Sequence, residues 1–225
     1  MKITILTRTL SIAVALTAGT VQAQDRVGDF SLLDQLGNAH NIKWYDDHES
    51  IALLVQANGS EATLAALPDF IELQKKYSEQ GIQFFMINPM GRLNRKAVNL
   101  EISEFTTDIP VLMDDTQQIS KALGIDKTGE VFLFDPGTFR VEFRGPIGAE
   151  LGSALTAILN DETIANPAVA MNGSDVNYVS LGQIFYEKDI APILAENCAS
   201  CHREGGIAPF AMDSYTMALG WSPMI

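Results

Sequence analysis

The chain has 225 residues, 47% of them hydrophobic, with 15 Lys and Arg against 28 Asp and Glu, a formal charge of −13. So acidic a surface disfavours a nucleic-acid role, because a phosphate backbone needs a basic face, and the apolar content rules out wholesale disorder. Only two cysteines occur, Cys198 and Cys201, so no disulfide framework holds the fold. The length fits one domain with a small second one.

Residues 1–24 read MKITILTRTLSIAVALTAGTVQAQ, with Lys2 and Arg8 ahead of an apolar, small-residue run from Leu10 to Thr20 and then Val21-Gln22-Ala23. This is the pattern of a secretory signal cut after Ala23, so 1–23 is predicted to be a signal peptide. The apolar run is shorter than the roughly 20 residues that span a bilayer, and no other stretch approaches that length. The mature chain is therefore expected to be exported, in a bacterial periplasm or secreted, with no integral membrane span.

From residue 29 the pattern alternates. Phe30–Asp34 and Ile42–Tyr45 flank the turn-rich Leu36-Gly37-Asn38 and predict an opening hairpin. Ile51–Ala57 is a continuous apolar run of strand length, as expected for a strand covered on both faces. Helical spacing follows over Glu61–Gln80, with Pro68 inside it predicting a kink or a fresh start. Gln83–Asn88 reads as strand, Leu93–Phe105 as helix, Pro110–Met113 as strand and Gln117–Leu123 as a short helix. Val131–Phe134 and Val141–Phe143 flank Asp135-Pro136-Gly137, a hairpin signal, and Ala149–Leu159 is a final helix. The order predicts an α/β fold of thioredoxin-like type, a central sheet flanked by helices. The domain thus runs over 24–162. Residues 163–178 lack any period and are expected to be a linker. A partial, all-α segment would occupy 179–225, with a helix over Ile190–Glu196.

Cys198-Ala199-Ser200-Cys201-His202 has the Cys-X-X-Cys-His spacing of c-type haem attachment. Two thiols about one helical turn apart can each form a thioether with the macrocycle. The imidazole that follows can bind its iron from the same side. Cys198 and Cys201 are thus the expected covalent anchors of one haem c, and His202 its proximal iron ligand. A structural zinc would need two further ligands, and His40 and His48 lie far upstream. A dithiol redox pair needs no histidine after its second cysteine. Pro209 could present its carbonyl to the second ring nitrogen of His202, while Ile207, Phe210, Tyr215, Trp221 and the three methionines of this stretch could supply apolar cover. Met212, Met217 and Met224 are the methionines available as a distal ligand, though Met this near the motif is more often core. The end at Met224-Ile225 reads as a C-terminal truncation. His40, and His48 beside Asp46-Asp47, read as a solvated acidic loop.

Two resemblances follow from these residues. Residues 28–160, through Gly28–Leu32, the strand ending in Asn58-Gly59 and Gly124–Asp135, resemble the redoxin or peroxiredoxin-like branch of the thioredoxin superfamily. Residues 182–225, through Lys188–Leu194, Cys198–Phe210, Ser214-Tyr215 and Trp221, resemble the cytochrome segment of bacterial redoxin–cytochrome fusions. In the first family a reactive cysteine follows this strand at a helix N-terminus, which stabilises its thiolate. Here Ser60 stands at that place, and it reads as a helix cap. Relatives commonly carry a cis-proline after the threonine, where this chain has Gly129 after Thr128. No catalytic residue is therefore assigned, and thiol peroxidase chemistry is not expected. The resulting reading is a periplasmic haem electron-transfer protein with a thiol-free redoxin-like domain and basic redox partners. The alternatives are a haem- or copper-linked peroxidase or monooxygenase, or a cysteine-less binding module.

Overall fold

The computed structural model describes residues 27–90, 94–179 and 185–221, with side chains to residue 219. The predicted signal peptide, Met224 and the Trp221 side chain lie outside these. The chain divides into two compact units, Met1–Asn177 and Tyr178–Ile225.

The first unit is built on one sheet. β1 (Ser31–Asp34), β2 (Ala39–Asn41), β3 (Ser50–Val55), β4 (Ile82–Asn88), β5 (Val111–Met113), β6 (Val131–Asp135) and β7 (Arg140–Gly145) lie in the order β2-β1-β5-β4-β3-β6-β7. β3, β4 and β5 are parallel to one another, and β1, β2, β6 and β7 are antiparallel to their neighbours. β3 is an interior strand, buried along its whole length, which is why its sequence is a continuous apolar run rather than an alternating one.

Helix α1 (Glu61–Tyr77) starts at Ser60, whose side chain accepts from the Thr63 N–H, and has Glu61 in its first turn and Lys75 and Lys76 in its last. Each charge thereby complements the helix dipole. Pro68 sits inside this helix without breaking it, so no fresh helix starts there. Leu67, Phe70 and Ile71 of α1 form one core with Val98 and Ile102 of α2 (Arg95–Ile102) and Leu151, Ala154 and Leu155 of α4 (Ala149–Leu159). The sheet contributes alternate residues to that core: Ala52 and Leu54, Phe84 and Met86, Val111 and Met113, Val131 and Leu133. A short helix, α3 (Gln118–Ala122), follows β5.

The structure departs from the sequence reading in two places here. The opening hairpin pairs Ser31–Asn41 and Leu33–Ala39. Ile42–Tyr45 is a single 3₁₀ turn, not a strand, because Asn41 caps it by accepting from the Lys43 N–H and Ile42 is buried beneath it. The expected linker, 163–178, is largely a strap on the first unit. Pro167 O accepts from Arg144 N at 2.9 Å, Val169 N donates to Arg144 O at 2.9 Å, and Thr128 N donates to Ser174 O at 2.9 Å. Val176 N donates to Asp126 O at 2.9 Å, and Val176 is itself buried. Isolated backbone pairs without a regular ladder leave no period to read, which is why the segment looks like loose chain in sequence.

Arg144 anchors this edge. Its guanidinium grips Glu130 in two bonds of 2.8 and 3.0 Å, donates to Gly124 O and lies over the Phe132 ring. Burial pushes the Glu130 carboxyl up, and the Arg144 contacts offset part of that rise.

Gly173 lets the strap lie close: a Cβ there would sit 2.5 Å from the Thr128 carbonyl oxygen. Gly173→Ala is therefore expected to lift the strap and lower stability by about 1–3 kcal/mol, the scale of overpacking against fixed backbone. Urea unfolding measures the loss, and amide exchange should show Thr128 and Val176 losing protection together.

Candidate functional site

Ser60 lies where β3 hands over to α1. Its hydroxyl is buried, 2.7 Å from Thr128 Oγ1, and also accepts from the Thr63 N–H at 3.3 Å. Gly129, at φ +81°, follows Thr128, and a Cβ on it would meet the Ala62 carbonyl oxygen at 2.9 Å. The loop therefore packs directly on the first turn of α1. No cis peptide occurs among the described residues.

The strand ends beside Ser60 are tied by amides. Gln56 and Asn88 are fully buried and bonded to each other. Glu101 accepts from Gln56 Nε2 at 3.2 Å and from the Gly59 N–H at 2.7 Å, and Asn58 donates to the Ala97 carbonyl at 3.0 Å. These bonds hold Asn58-Gly59-Ser60 in place without a thiol. An alcohol cannot exchange with a disulfide, so the arrangement caps a helix and supports no thiol chemistry.

The second unit carries the cysteines. One π-helical turn (Tyr186–Ile190) leads into α5 (Ala191–Asn197), and Tyr186 packs edge to face on Tyr215 of α6 (Tyr215–Trp221). The turn after α5 continues it: Cys198 N donates to Leu194 O, and His202 N to Cys198 O at 2.8 Å. Cys198 and Cys201 are free thiols on that turn, the first half-buried and the second exposed.

The loop after His202 folds back on the motif. Gly205 adopts φ +71°, and Gly206 comes so near that a Cβ would lie 2.3 Å from the Cys201 carbonyl oxygen. Ala208 N then donates to Cys201 O at 3.2 Å and Met212 N to His202 O at 2.9 Å. The loop brings the Phe210 carbonyl, not that of Pro209, within 3.0 Å of His202 Nδ1, with the two rings 4.6 Å apart. The expected contact is present with its acceptor one residue further on, because the glycine pair sets where the loop returns. A carbonyl only accepts, so Nδ1 carries the proton and the lone pair of the neutral ring falls on Nε2.

Of the residues expected to give apolar cover, Met212 is buried, while Ile207 is 93% exposed and Tyr215 and Met217 are also exposed. Among the described residues no three of His, Cys, Asp and Glu are arranged to hold a single metal ion.

His40 is the residue the sequence reading placed wrongly. It is not in a solvated loop: its Nε2 lies 3.2 Å from Asp34 Oδ2 and its Nδ1 2.8 Å from the Tyr45 hydroxyl, over the Phe85 ring. Asp34 also accepts from the Leu36 and Asn38 N–H groups and from Asn38 Nδ2. Burial pushes its carboxyl up, but these donors outweigh burial and hold it below the usual carboxylate range. Sequence spacing carried no sign of this cluster, which depends on the hairpin register Leu32–His40. His48 pairs with the exposed Asp47 at 2.7 Å and lines a groove with Glu49, Asp135, Glu142, Asp161 and Glu162.

No family model matches the chain, and no curated protein matches it. Solved structures do. A hypothetical protein from Sinorhizobium meliloti 1021 superimposes with a TM-score of 0.62 at 19% identity, covering 72% of this chain and 97% of that one. A structure described as a thiol:disulfide interchange protein DsbE, from Chlorobium tepidum, gives 0.52 at 18% identity, covering 62% and 99%. The exposed lipoprotein thioredoxin Etrx1 from Streptococcus pneumoniae gives 0.50 at 18%, covering 59% and 99%. At these identities the likeness establishes the fold: the sheet with its flanking helices is thioredoxin-like. No helix among the described residues is long and apolar enough to cross a membrane.

Because the Asp34 carboxyl is lowered in the folded chain, its contribution to stability is complete above the ordinary carboxylate range. It is lost as pH falls through the lowered value. Asp34→Asn is expected to cost about 1–3 kcal/mol at neutral pH. Denaturant midpoints of the variant and the parent chain should converge as the solution becomes strongly acidic.

Proposed function

We propose that this chain is an exported one-electron redox protein whose second unit carries one covalent haem c. The carrying observation is Cys198-Ala199-Ser200-Cys201-His202 on a single turn, with both thiols free and His202 Nδ1 bonded to the Phe210 carbonyl. Cys198 and Cys201 would hold the macrocycle by thioethers, and His202 would offer Nε2 to its iron. When bound, such a group supplies a ferric/ferrous couple.

The chain's own residues do the rest. The Phe210 carbonyl fixes the imidazole tautomer and makes the ring a better donor. Gly205 and Gly206 let the loop return to place that carbonyl. Exposed Ile193, Ile207 and Leu219 offer apolar surface suited to a macrocycle.

The first unit keeps the fold of proteins whose names include a thiol:disulfide interchange protein and a thioredoxin, but Ser60 removes the chemistry. It serves as a docking module. The carboxylates that rim the groove beside His48, with a chain charge of −13, favour basic redox partners through steering that salt weakens. Residues 1–23 direct export.

The test is expression of the full chain in a host with c-type haem attachment machinery. A pyridine haemochrome spectrum of c-type is expected. It should vanish in Cys198→Ser/Cys201→Ser and in His202→Ala, while circular dichroism of the first unit's fold persists. A colourless full chain, from cells that load a control cytochrome, would overturn the reading.

A further inference from the structure

The first unit holds a second arrangement suited to moving electrons, independent of the cysteine motif. Oxidising a phenol makes its O–H strongly acidic. The electron therefore leaves readily only where a base is hydrogen-bonded to that proton and can return it. His40 Nδ1 lies 2.8 Å from the Tyr45 hydroxyl. Its other nitrogen, Nε2, faces Asp34 Oδ2 at 3.2 Å.

The direction of the chain follows from the carboxylate. Asp34 has a side chain only 4% exposed and accepts from Leu36 N, Asn38 N and Asn38 Nδ2 as well. It is an anion fixed in place and can only accept, so in the neutral ring Nε2 carries the hydrogen and Nδ1 the lone pair. The Tyr45 hydroxyl then donates to Nδ1. Burial and the Asp34 charge both push the Tyr45 phenol up, so phenolate is not the form present at neutral pH. Its proton has to leave together with the electron.

The surroundings favour a radical that persists. The Tyr45 ring packs edge to face on Phe85 at 5.1 Å and on His48 at 5.9 Å. No cysteine occurs before residue 198, so the unit itself holds no thiol to quench it. Trp44, next in the chain and 64% exposed, presents an oxidisable ring at the surface. Elsewhere, Tyr77 lies beneath Lys76, and Tyr186 and Tyr215 pack on each other.

We propose that Tyr45 is a redox-active tyrosine, with His40 as its proton acceptor and Asp34 as the counter-charge. A high-potential one-electron metal oxidant takes one electron from the Tyr45 ring and is reduced by one. The phenolic O–H bond breaks as an N–H bond forms at His40 Nδ1, leaving a neutral tyrosyl radical and an imidazolium paired with Asp34. A one-electron reductant restores the phenol, and the proton returns from Nδ1.

The test uses the full chain and photogenerated tris(bipyridine)ruthenium(III) at neutral pH, followed by tyrosyl-radical absorption and electron paramagnetic resonance. The parent chain is expected to form the radical in a fast phase that slows in deuterated water. Tyr45→Phe should remove that phase. His40→Gln, which keeps the volume without the base, should slow it by about a hundredfold, the scale at which a positioned base acts. Circular dichroism checks that each variant folds, and Asp34→Asn, expected to slow the phase as well, serves if His40→Gln does not. A merely structural cluster would leave the rate unmoved in folded variants. Equal radical rate and yield in the parent and Tyr45→Phe, or no slowing in folded His40→Gln, would overturn the assignment.

Discussion

The hydrogen bond between His202 Nδ1 and the Phe210 carbonyl, 3.0 Å long, is the constraint on which the reading of the second unit depends. It fixes which ring nitrogen carries the proton, and so which one keeps a lone pair for a metal. That bond exists because the chain can reverse tightly after the motif. Gly205 accepts a left-handed backbone and Gly206 tolerates the Cys201 carbonyl where any Cβ would collide. Three links therefore run in sequence: two glycines shape a loop, the loop places a carbonyl, and the carbonyl orients the imidazole beside two free thiols.

The first unit has a thioredoxin-like fold with a serine rather than a thiol at the N-terminus of α1. The helix N-terminus that would stabilise a thiolate instead receives a cap: Ser60 accepts from Thr63 N–H and pairs with Thr128. The neighbouring strand ends are closed by Gln56, Asn88 and Glu101, and the strap ties to Thr128 through the Ser174 carbonyl. Polar groups around Ser60 are satisfied internally. Burying them costs little for that reason.

Much of the fold was legible because its strands are strongly typed. Ile51–Ala57 fits a strand covered on both faces, and the strand runs over Ser50–Val55; α1 announced itself by helical spacing between a cap and Gly81. Ile42–Tyr45 misled because its apolar and aromatic residues suit a strand, whereas the Asn41 cap and burial of Ile42 favour a 3₁₀ turn. The strap was illegible since its hold is a handful of backbone pairs and two close-packed glycines, Gly145 and Gly173, none of which leaves a period. Cys198, Cys201 and His202 were singled out from spacing alone, the spacing that covalent haem attachment would need. His40 was missed for the opposite reason. Its partners Asp34 and Tyr45 are close only through hairpin register and the turn that follows, which sequence distance does not encode.

The most direct measurement is mass spectrometry of the peptide containing Cys198 to His202, taken from the full chain after expression with haem attachment machinery. The account predicts a peptide heavier by one haem, with neither sulfur open to alkylation. A peptide of unmodified mass whose two cysteines both alkylate, from cells that load a control cytochrome, would contradict it.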